Sequence, residues 1–116
     1  MIKAASEFIA EAQQHINCLD PVQAKKLLDE TKDALVLDVR EPGEAAEAKL
    51  SCSVNIPRGL LEMKIQKHCT SETTTIVTHC AGGGRASLAA ARLKEMGYTN
   101  VYAITAKFAD VKALIG

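Results

Sequence analysis

The sequence predicts an α/β fold in which helices cover a mainly parallel sheet. Short apolar or β-branched segments alternate along the chain with segments whose apolar residues recur every three or four positions. One strand-like segment, residues 34–39, is apolar at almost every position, as expected for a strand covered on both faces. The chain has 116 residues, 47% of them apolar, which is enough for one domain with its own core.

The chain begins with a predicted helix, a short strand and a second helix. Residues 3–16 carry apolar residues on one helical face: Ala5, Phe8, Ile9, Ala12 and Ile16. We therefore expect an amphipathic helix that packs on the core, which is commoner than packing on a partner protein. Residues 17–19 are predicted as an edge strand. Asp20, Pro21 and Gln23 have the N-cap, first-turn and capping-box positions of the second helix.

The middle of the chain contains two more predicted strands, each followed by a helical segment. Residues 34–39 are predicted as a central strand, and residues 44–49 as one or two helical turns. A short strand over residues 53–57 ends at a proline. The segment 58–67 then has the apolar spacing of a helix.

The last third of the chain repeats the alternation. A β-branched strand over residues 73–79 precedes a helix over 85–96, which is predicted to bury Ala86, Ala89, Ala90, Leu93 and Met96. Gly97 is the expected residue after the helix end. Residues 100–104 are predicted as the last strand and 108–114 as the last helix.

Residues 80–85, Cys-Ala-Gly-Gly-Gly-Arg, connect a predicted strand to a predicted helix. Glycines let backbone amides turn inward, and a helix N-terminus adds positive potential. A thiolate at that position would be stabilised by the amides, the helix dipole and Arg85, so Cys80 is the candidate nucleophile. Cysteine at a strand end is also a common packing residue, but the glycines and Arg85 favour the functional interpretation.

Charged residues follow two other predicted strands. Asp38, Arg40 and Glu44 lie where a parallel strand ends, the edge at which ligands bind in such sheets. They could line a site, although an ion-pair network that fixes the turn is the interpretation we favour. Arg58 is either a second positive charge near the pocket or a solvated arginine.

Composition limits the class of protein. The 14 basic and 14 acidic residues give no net charge, which argues against a nucleic-acid surface or a polybasic membrane patch. Neither a signal-like nor a transmembrane run is present in the first residues, so we expect a cytoplasmic protein. The four cysteines are predicted as free thiols, and none has the spacing of a structural zinc site, so we expect no metal.

Three segments in this order resemble single-domain rhodanese-like sulfurtransferases: residues 38–44 (Asp-Val-Arg-Glu-Pro-Gly-Glu), residues 55–59 (Asn-Ile-Pro-Arg-Gly) and Cys80-x-x-Gly83-x-Arg85. The resemblance divides the chain into an N-terminal amphipathic helix over 1–15 and a rhodanese-like domain over 16–116. It implies a three-layer fold with a mainly parallel five-stranded sheet flanked by helices.

The resemblance also implies an activity. Cys80 would take a sulfane sulfur from a donor such as thiosulfate and pass it, as a persulfide, to cyanide in vitro or to a thiol in the cell. Arg85 would be catalytic with Cys80, and the residues implied to bind substrate are Ala81, Gly82, Gly83, Gly84, Arg40 and Arg58. No cofactor is expected, and the expected partners are a small anionic sulfur donor, a thiol acceptor and a protein sulfur acceptor.

Two segments depart from the family pattern, and two other functions remain open. Residues 48–50 replace the usual Gly-His-Ile, while Ala106, Lys107 and Val111 replace a Gly-Gly pair and a tryptophan. A cysteine phosphatase or arsenate reductase is one alternative, but its loop has five residues between Cys and Arg, and this chain has four. A sulfur carrier or sensor that binds a partner is the other. Cys69 could resolve an oxidised nucleophile, although a passive thiol is commoner.

Overall fold

The computed structural model describes all 116 residues, Met1–Gly116, and has an α/β architecture. Five strands form one parallel sheet, and six α-helices flank it. The strands are β1 (Asn17–Leu19), β2 (Leu35–Asp38), β3 (Ser53–Asn55), β4 (Thr75–His79) and β5 (Asn100–Ile104). The helices are α1 (Ala5–Gln13), α2 (Pro21–Glu30), α3 (Pro42–Glu47), α4 (Leu61–His68), α5 (Gly84–Met96) and α6 (Phe108–Ile115), and a 3-10 turn (Arg58–Leu60) precedes α4. The predicted fold class is confirmed.

Strand β4 lies at the centre of the sheet, whose strand order is β1-β5-β4-β2-β3. It pairs with β2 on one side, where Asp38 is opposite His79, and with β5 on the other. Because all strands are parallel, their carboxyl ends meet at one edge. The segments that follow β2, β3 and β4 therefore approach one another at that edge.

Alternating side chains of the strands form two cores, one on each face of the sheet. Leu37, Ile76 and Val101 pack under α4 and α5 in the larger core. Val36, Val77 and Ile104 pack under α2 and α6 in the smaller one. Side chains that are adjacent in a strand therefore contact different helices.

Helix α1 packs on α5, outside the larger core. Ala12 is buried, and the Gln13 side-chain amide donates a hydrogen bond to the Ser87 hydroxyl at 3.1 Å. The prediction that Phe8 belongs to the buried face is wrong, because its side chain is 49% exposed. Phe8 lines the open cavity between α1 and α5, and the Lys3 ammonium lies 4.4 Å from its ring centroid.

Local sequence signals place several helix ends correctly. The Asp20 carboxylate and Gln23 form the predicted capping box at the start of α2. Gly97 ends α5 with φ of 115°, and the Tyr98 amide donates to the Leu93 carbonyl in the Schellman pattern. Met96 is 37% exposed, so the prediction that it is buried is wrong. It lies in the last turn of α5, directly before the helix end at Gly97.

The four cysteines are free, as predicted; Cys18 and Cys52 are exposed, whereas Cys69 and Cys80 are buried. Nowhere do three His, Cys, Asp or Glu side chains converge as a metal site would require. None of the six helices combines the length and the apolar composition needed to cross a bilayer.

Candidate active site

Cys80 lies directly after β4 and begins the loop that leads to α5. The residue is only 2% exposed and belongs to the larger core, under α5. Its neighbour His79 belongs to the opposite face of the sheet. The alternation of the strand thus turns the Cys80 thiol toward the start of α5.

Two backbone amides donate hydrogen bonds to the Cys80 sulfur. The Gly83 amide lies 3.0 Å and the Ala86 amide 3.3 Å from Sγ. Both come from the loop and the first turn of α5, where the helix dipole also favours negative charge. The sulfur is thus the acceptor of two backbone amides at the positive end of a helix, an arrangement found around nucleophilic cysteines.

Gly83 is required by the shape of this loop. Its φ is 105°, a left-handed conformation that side chains with a Cβ rarely adopt, and an added Cβ would lie 2.9 Å from the Thr105 Cα. The Gly83 carbonyl accepts hydrogen bonds from the Ser87 amide and hydroxyl. The Ala81 carbonyl accepts one from the Phe108 amide, so the loop is anchored to both α5 and α6.

Arg85, the last residue of the motif, is paired with Glu44 from α3. Nη1 and Nη2 of the guanidinium donate to the two carboxylate oxygens at 2.7 and 3.0 Å. Hydrogen bonding to Arg85 is the main reason that the pKa of Glu44 is lowered to about 2. Hydrogen bonding to Glu44 chiefly raises the pKa of Arg85 above its ordinary value, with smaller contributions from the charges of Glu44, Cys80 and Glu41. Arg85 is therefore within electrostatic range of the Cys80 sulfur.

Arg40 belongs to a buried cluster on the other face of the sheet. Its guanidinium donates twice to the Asp38 carboxylate, at 2.9 and 2.8 Å, and once to the Ala48 carbonyl at 2.7 Å. It also lies over the Phe108 ring, 3.9 Å from the centroid. Burial opposes ionisation of Asp38, but hydrogen bonds from Arg40 outweigh it and lower the pKa of the carboxyl.

His79 lies in the same cluster as a fully buried side chain. Its ring stacks on Phe108 with the centroids 6.0 Å apart, and neither ring nitrogen has a hydrogen-bond partner. Burial is the main cause that lowers the pKa of His79 to about 4, while Asp38 raises it and Arg40 lowers it further. At neutral pH this imidazole is uncharged.

Arg58 points its polar atoms toward the α4 and α5 side of the molecule. Nη1 pairs with Glu62 at 3.1 Å, and Glu62 also pairs with Arg92. Arg58 lines a cavity of about 830 Å³ between α1 and α5, whose lining does not include the loop residues 80–85.

The structure brings the predicted loop residues together around Cys80, with Arg85 at the end of the loop. The guanidinium groups of Arg40 and Arg58 make no hydrogen bond to that loop and are engaged by carboxylates elsewhere. Their assignment to substrate binding stays a prediction. Sequence reasoning placed Glu44 at the correct edge but missed its pairing with Arg85, because no local pattern connects residues 41 positions apart.

Comparison with known proteins identifies the family. Residues 20–113 match the model of the rhodanese-like domain. The chain belongs to this family. Helix α1 precedes the matched segment, whereas the Cys80 loop and its supporting strands all lie within it.

This rhodanese-like domain is similar in sequence to a protein named as a sulfurtransferase. It is 27% identical to a sulfurtransferase from Allochromatium vinosum over 86 residues, which are 74% of this chain and 78% of that one. This relative and the family support sulfurtransferase chemistry in general terms.

Two solved structures also resemble it. A Rhodopseudomonas palustris protein of unknown function, described as a possible tyrosine phosphatase, superposes with a TM-score of 0.85 at 26% identity, covering 97% of this chain and 92% of that one. The polysulfide-sulfur transferase homodimer of Wolinella succinogenes gives 0.74 at 28% identity, covering 90% and 78%.

Proposed function

We propose that this rhodanese-like domain is a sulfurtransferase that carries sulfane sulfur on Cys80 and accepts it from thiosulfate or a similar anionic donor. The observation that supports this most directly is the pair of amides, from Gly83 and Ala86, that donate to the Cys80 sulfur. Such donors favour the thiolate that must attack and the negative charge of the persulfide that results.

Each half of the reaction transfers one sulfur atom. The Cys80 thiolate attacks the outer sulfur of thiosulfate, a new S–S bond forms, and the old one breaks so that its electron pair leaves with sulfite. In the second half, cyanide or a thiolate attacks the outer sulfur of the persulfide, and the electron pair of the new S–S bond returns to Cys80. The products are thiocyanate or a new persulfide, and no external oxidant or reductant is needed.

The first test is the mass of the protein after exposure to donor. We expect reduced protein treated with thiosulfate, and freed of excess reagent, to gain about 32 Da, one sulfur atom. Cyanide should remove the added mass and release thiocyanate. Steady-state rates should follow the ping-pong pattern of a shared covalent intermediate.

Cys80→Ser is the control, because it keeps the exposed thiols of Cys18 and Cys52, which could react without specificity. The proposal predicts no added mass on this variant. A Cys80 persulfide would lose its support if the unaltered protein and Cys80→Ser gained equal mass. It would also lose its support if thiosulfate, polysulfide and 3-mercaptopyruvate all added no mass.

The name of the Rhodopseudomonas relative makes phosphatase activity a second candidate that must be tested. The four residues between Cys80 and Arg85 favour sulfur over a tetrahedral phosphoryl group, because a shorter loop presents fewer amides. Turnover of an aryl phosphate that disappears in Cys80→Ser would support the phosphatase. Capture of one protein acceptor, with negligible turnover of small donors, would instead support a carrier.

A further inference from the structure

Arg85 is the charged residue of the loop that begins at Cys80, yet its guanidinium is already paired. Both terminal nitrogens donate to the Glu44 carboxylate. An anion that binds Arg85 through the same two nitrogens would have to replace this carboxylate, because a guanidinium edge holds one bidentate acceptor. The Glu44 carboxylate thus occupies the position on Arg85 that an anionic ligand would take.

Glu44 is held in this position by its own helix. One of its carboxylate oxygens also accepts a hydrogen bond from the Glu41 amide, at 2.9 Å, in the capping box of α3. A glutamate carboxyl is charged at neutral pH even at its ordinary pKa of 4.5, so Glu44 does not need Arg85 to stay charged. It would therefore stay beside the site as a negative charge even if Arg85 turned toward a ligand.

The ion pair is open to solvent and can be exchanged. The side chains of Arg85 and Glu44 are 35% and 37% exposed. Ion pairs with this exposure are weak, since water competes for both partners. An incoming anion can displace the Glu44 carboxylate from Arg85. Because the ion pair is then lost, the net affinity of the protein for the anion is lower than it would be without Glu44.

We propose that Glu44 is a specificity-determining residue that competes with anionic donors for Arg85. The identity of those donors rests on the proposed sulfurtransferase function, but the competition does not. A compact dianion such as thiosulfate depends strongly on Arg85 and is opposed by Glu44, whereas a donor that is recognised by uncharged parts is affected less. Glu44 would then weaken the preference of the site for highly charged donors over donors that are recognised by uncharged parts.

The test measures binding without sulfur transfer. Thiosulfate is titrated by calorimetry into Cys80→Ser protein, alone and combined with Glu44→Gln. We expect Glu44→Gln to tighten thiosulfate binding about three- to tenfold, the range expected from removing a weak competing ion pair and a nearby like charge. Sulfate titrated into protein with Cys80 intact provides a second reading with an anion that cannot donate sulfur.

Glu47→Gln is the matched control. Glu47 lies in the same helix and is exposed, with no ion pair, so its replacement changes the net charge equally and leaves Arg85 paired. Glu44→Gln combined with Arg85→Gln forms a double-mutant cycle, in which the gain in affinity should disappear. The proposal would be overturned if Glu44→Gln and Glu47→Gln changed the anion affinity equally, or if the gain in affinity persisted without Arg85. Absence of anion binding to every variant would also overturn it.

Turnover separates this role from a general effect on folding. In protein with Cys80 intact, Glu44→Gln should lower KM for thiosulfate more than KM for glutathione persulfide, with little change in kcat for either. A parallel change of KM for both donors would contradict the proposal. If no persulfide forms on Cys80 but Glu44→Gln still tightens anion binding, the competition stands and the sulfurtransferase function fails.

Discussion

Two adjacent residues, His79 and Cys80, have opposite environments because consecutive side chains of a strand point to opposite faces. The Cys80 sulfur accepts hydrogen bonds from the amides of Gly83 and Ala86. The His79 imidazole is buried beside the Phe108 ring with both nitrogens unpartnered. Two donors surround the sulfur of one residue, whereas burial without partners disfavours the charged form of the next.

His79 should make stability depend on pH. The pKa of His79 is about 4 in the folded protein, against an ordinary value of 6.5, so between these two pH values the unfolded chain binds a proton that the folded protein does not. Stability should be complete above about pH 6.5 and fall as the pH decreases toward 4, by up to about 3 kcal/mol. Urea unfolding at several pH values would measure this change.

The control for the pH dependence is a second histidine. His68 is exposed at the end of α4, so His68→Gln should keep the slope of stability against pH, while His79→Phe should flatten it between pH 6.5 and 4. Glu44 contributes to the pH dependence at lower pH. Its pKa is lowered to about 2 in the folded protein, so the stability that it contributes is lost only as the pH falls from 4.5 toward 2. An unchanged slope in His79→Phe would exclude this origin.

At the scale of elements, the strand–loop–helix unit around Cys80 could be predicted because its signals are local. The β-branched run of β4, the glycines and the alanine-rich α5 follow one another directly. The ion pair of Asp38 and Arg40 was also within reach, since the residues are two positions apart. The pairing of Glu44 with Arg85 was not, because it depends on how α3 and α5 meet across the sheet edge.

The glycines of the loop should differ in their tolerance of alanine. Gly83→Ala forces a left-handed φ on alanine and a contact with the Thr105 backbone, so we expect a loss of about 1–3 kcal/mol. Gly84→Ala meets only the Ile9 side-chain tip, at 2.9 Å, and should cost less. Urea denaturation gives the free energy of unfolding for each variant.

Two further substitutions separate the causes. Gly82 has open space where its Cβ would be, so Gly82→Ala should change stability by less than about 0.5 kcal/mol. Ile9→Ala should relieve the cost of Gly84→Ala and leave that of Gly83→Ala unchanged, because only Gly84 faces α1. Equal costs at Gly83 and Gly84 would show that loop conformation is not the decisive factor.

At the scale of the whole molecule, the sheet order places the site on its most constrained strand. Alternating strands and helices were sufficient to predict a mainly parallel sheet, but not that β4 would be central or that β1 would pair with β5. Strand order depends on contacts between distant segments. For the same reason, the exposure of Phe8 could not be read from its helical face, because α1 packs chiefly on α5.

Hydrogen exchange of backbone amides should distinguish the central strand of the sheet from its edge strand. Amides of β4 are bonded within a buried strand that has neighbours on both sides, so they should exchange only by global unfolding. Strand β1 has three residues at the sheet edge and is mostly exposed, so its amides should exchange by local opening. Exchange monitored by NMR in increasing urea would distinguish the two, and equal slopes for β1 and β4 would contradict the prediction.

The burial of Cys80 has a consequence for chemical labelling. A bulky maleimide or disulfide reagent reaches Cys18 and Cys52, which are exposed, before it reaches a residue that is 2% exposed. A survey of cysteine reactivity with such reagents would rank these two first and pass over Cys80, the proposed nucleophile. Small electrophiles are the appropriate probes of Cys80, because a side chain that is 2% exposed is reached more easily by a small molecule than by a bulky one.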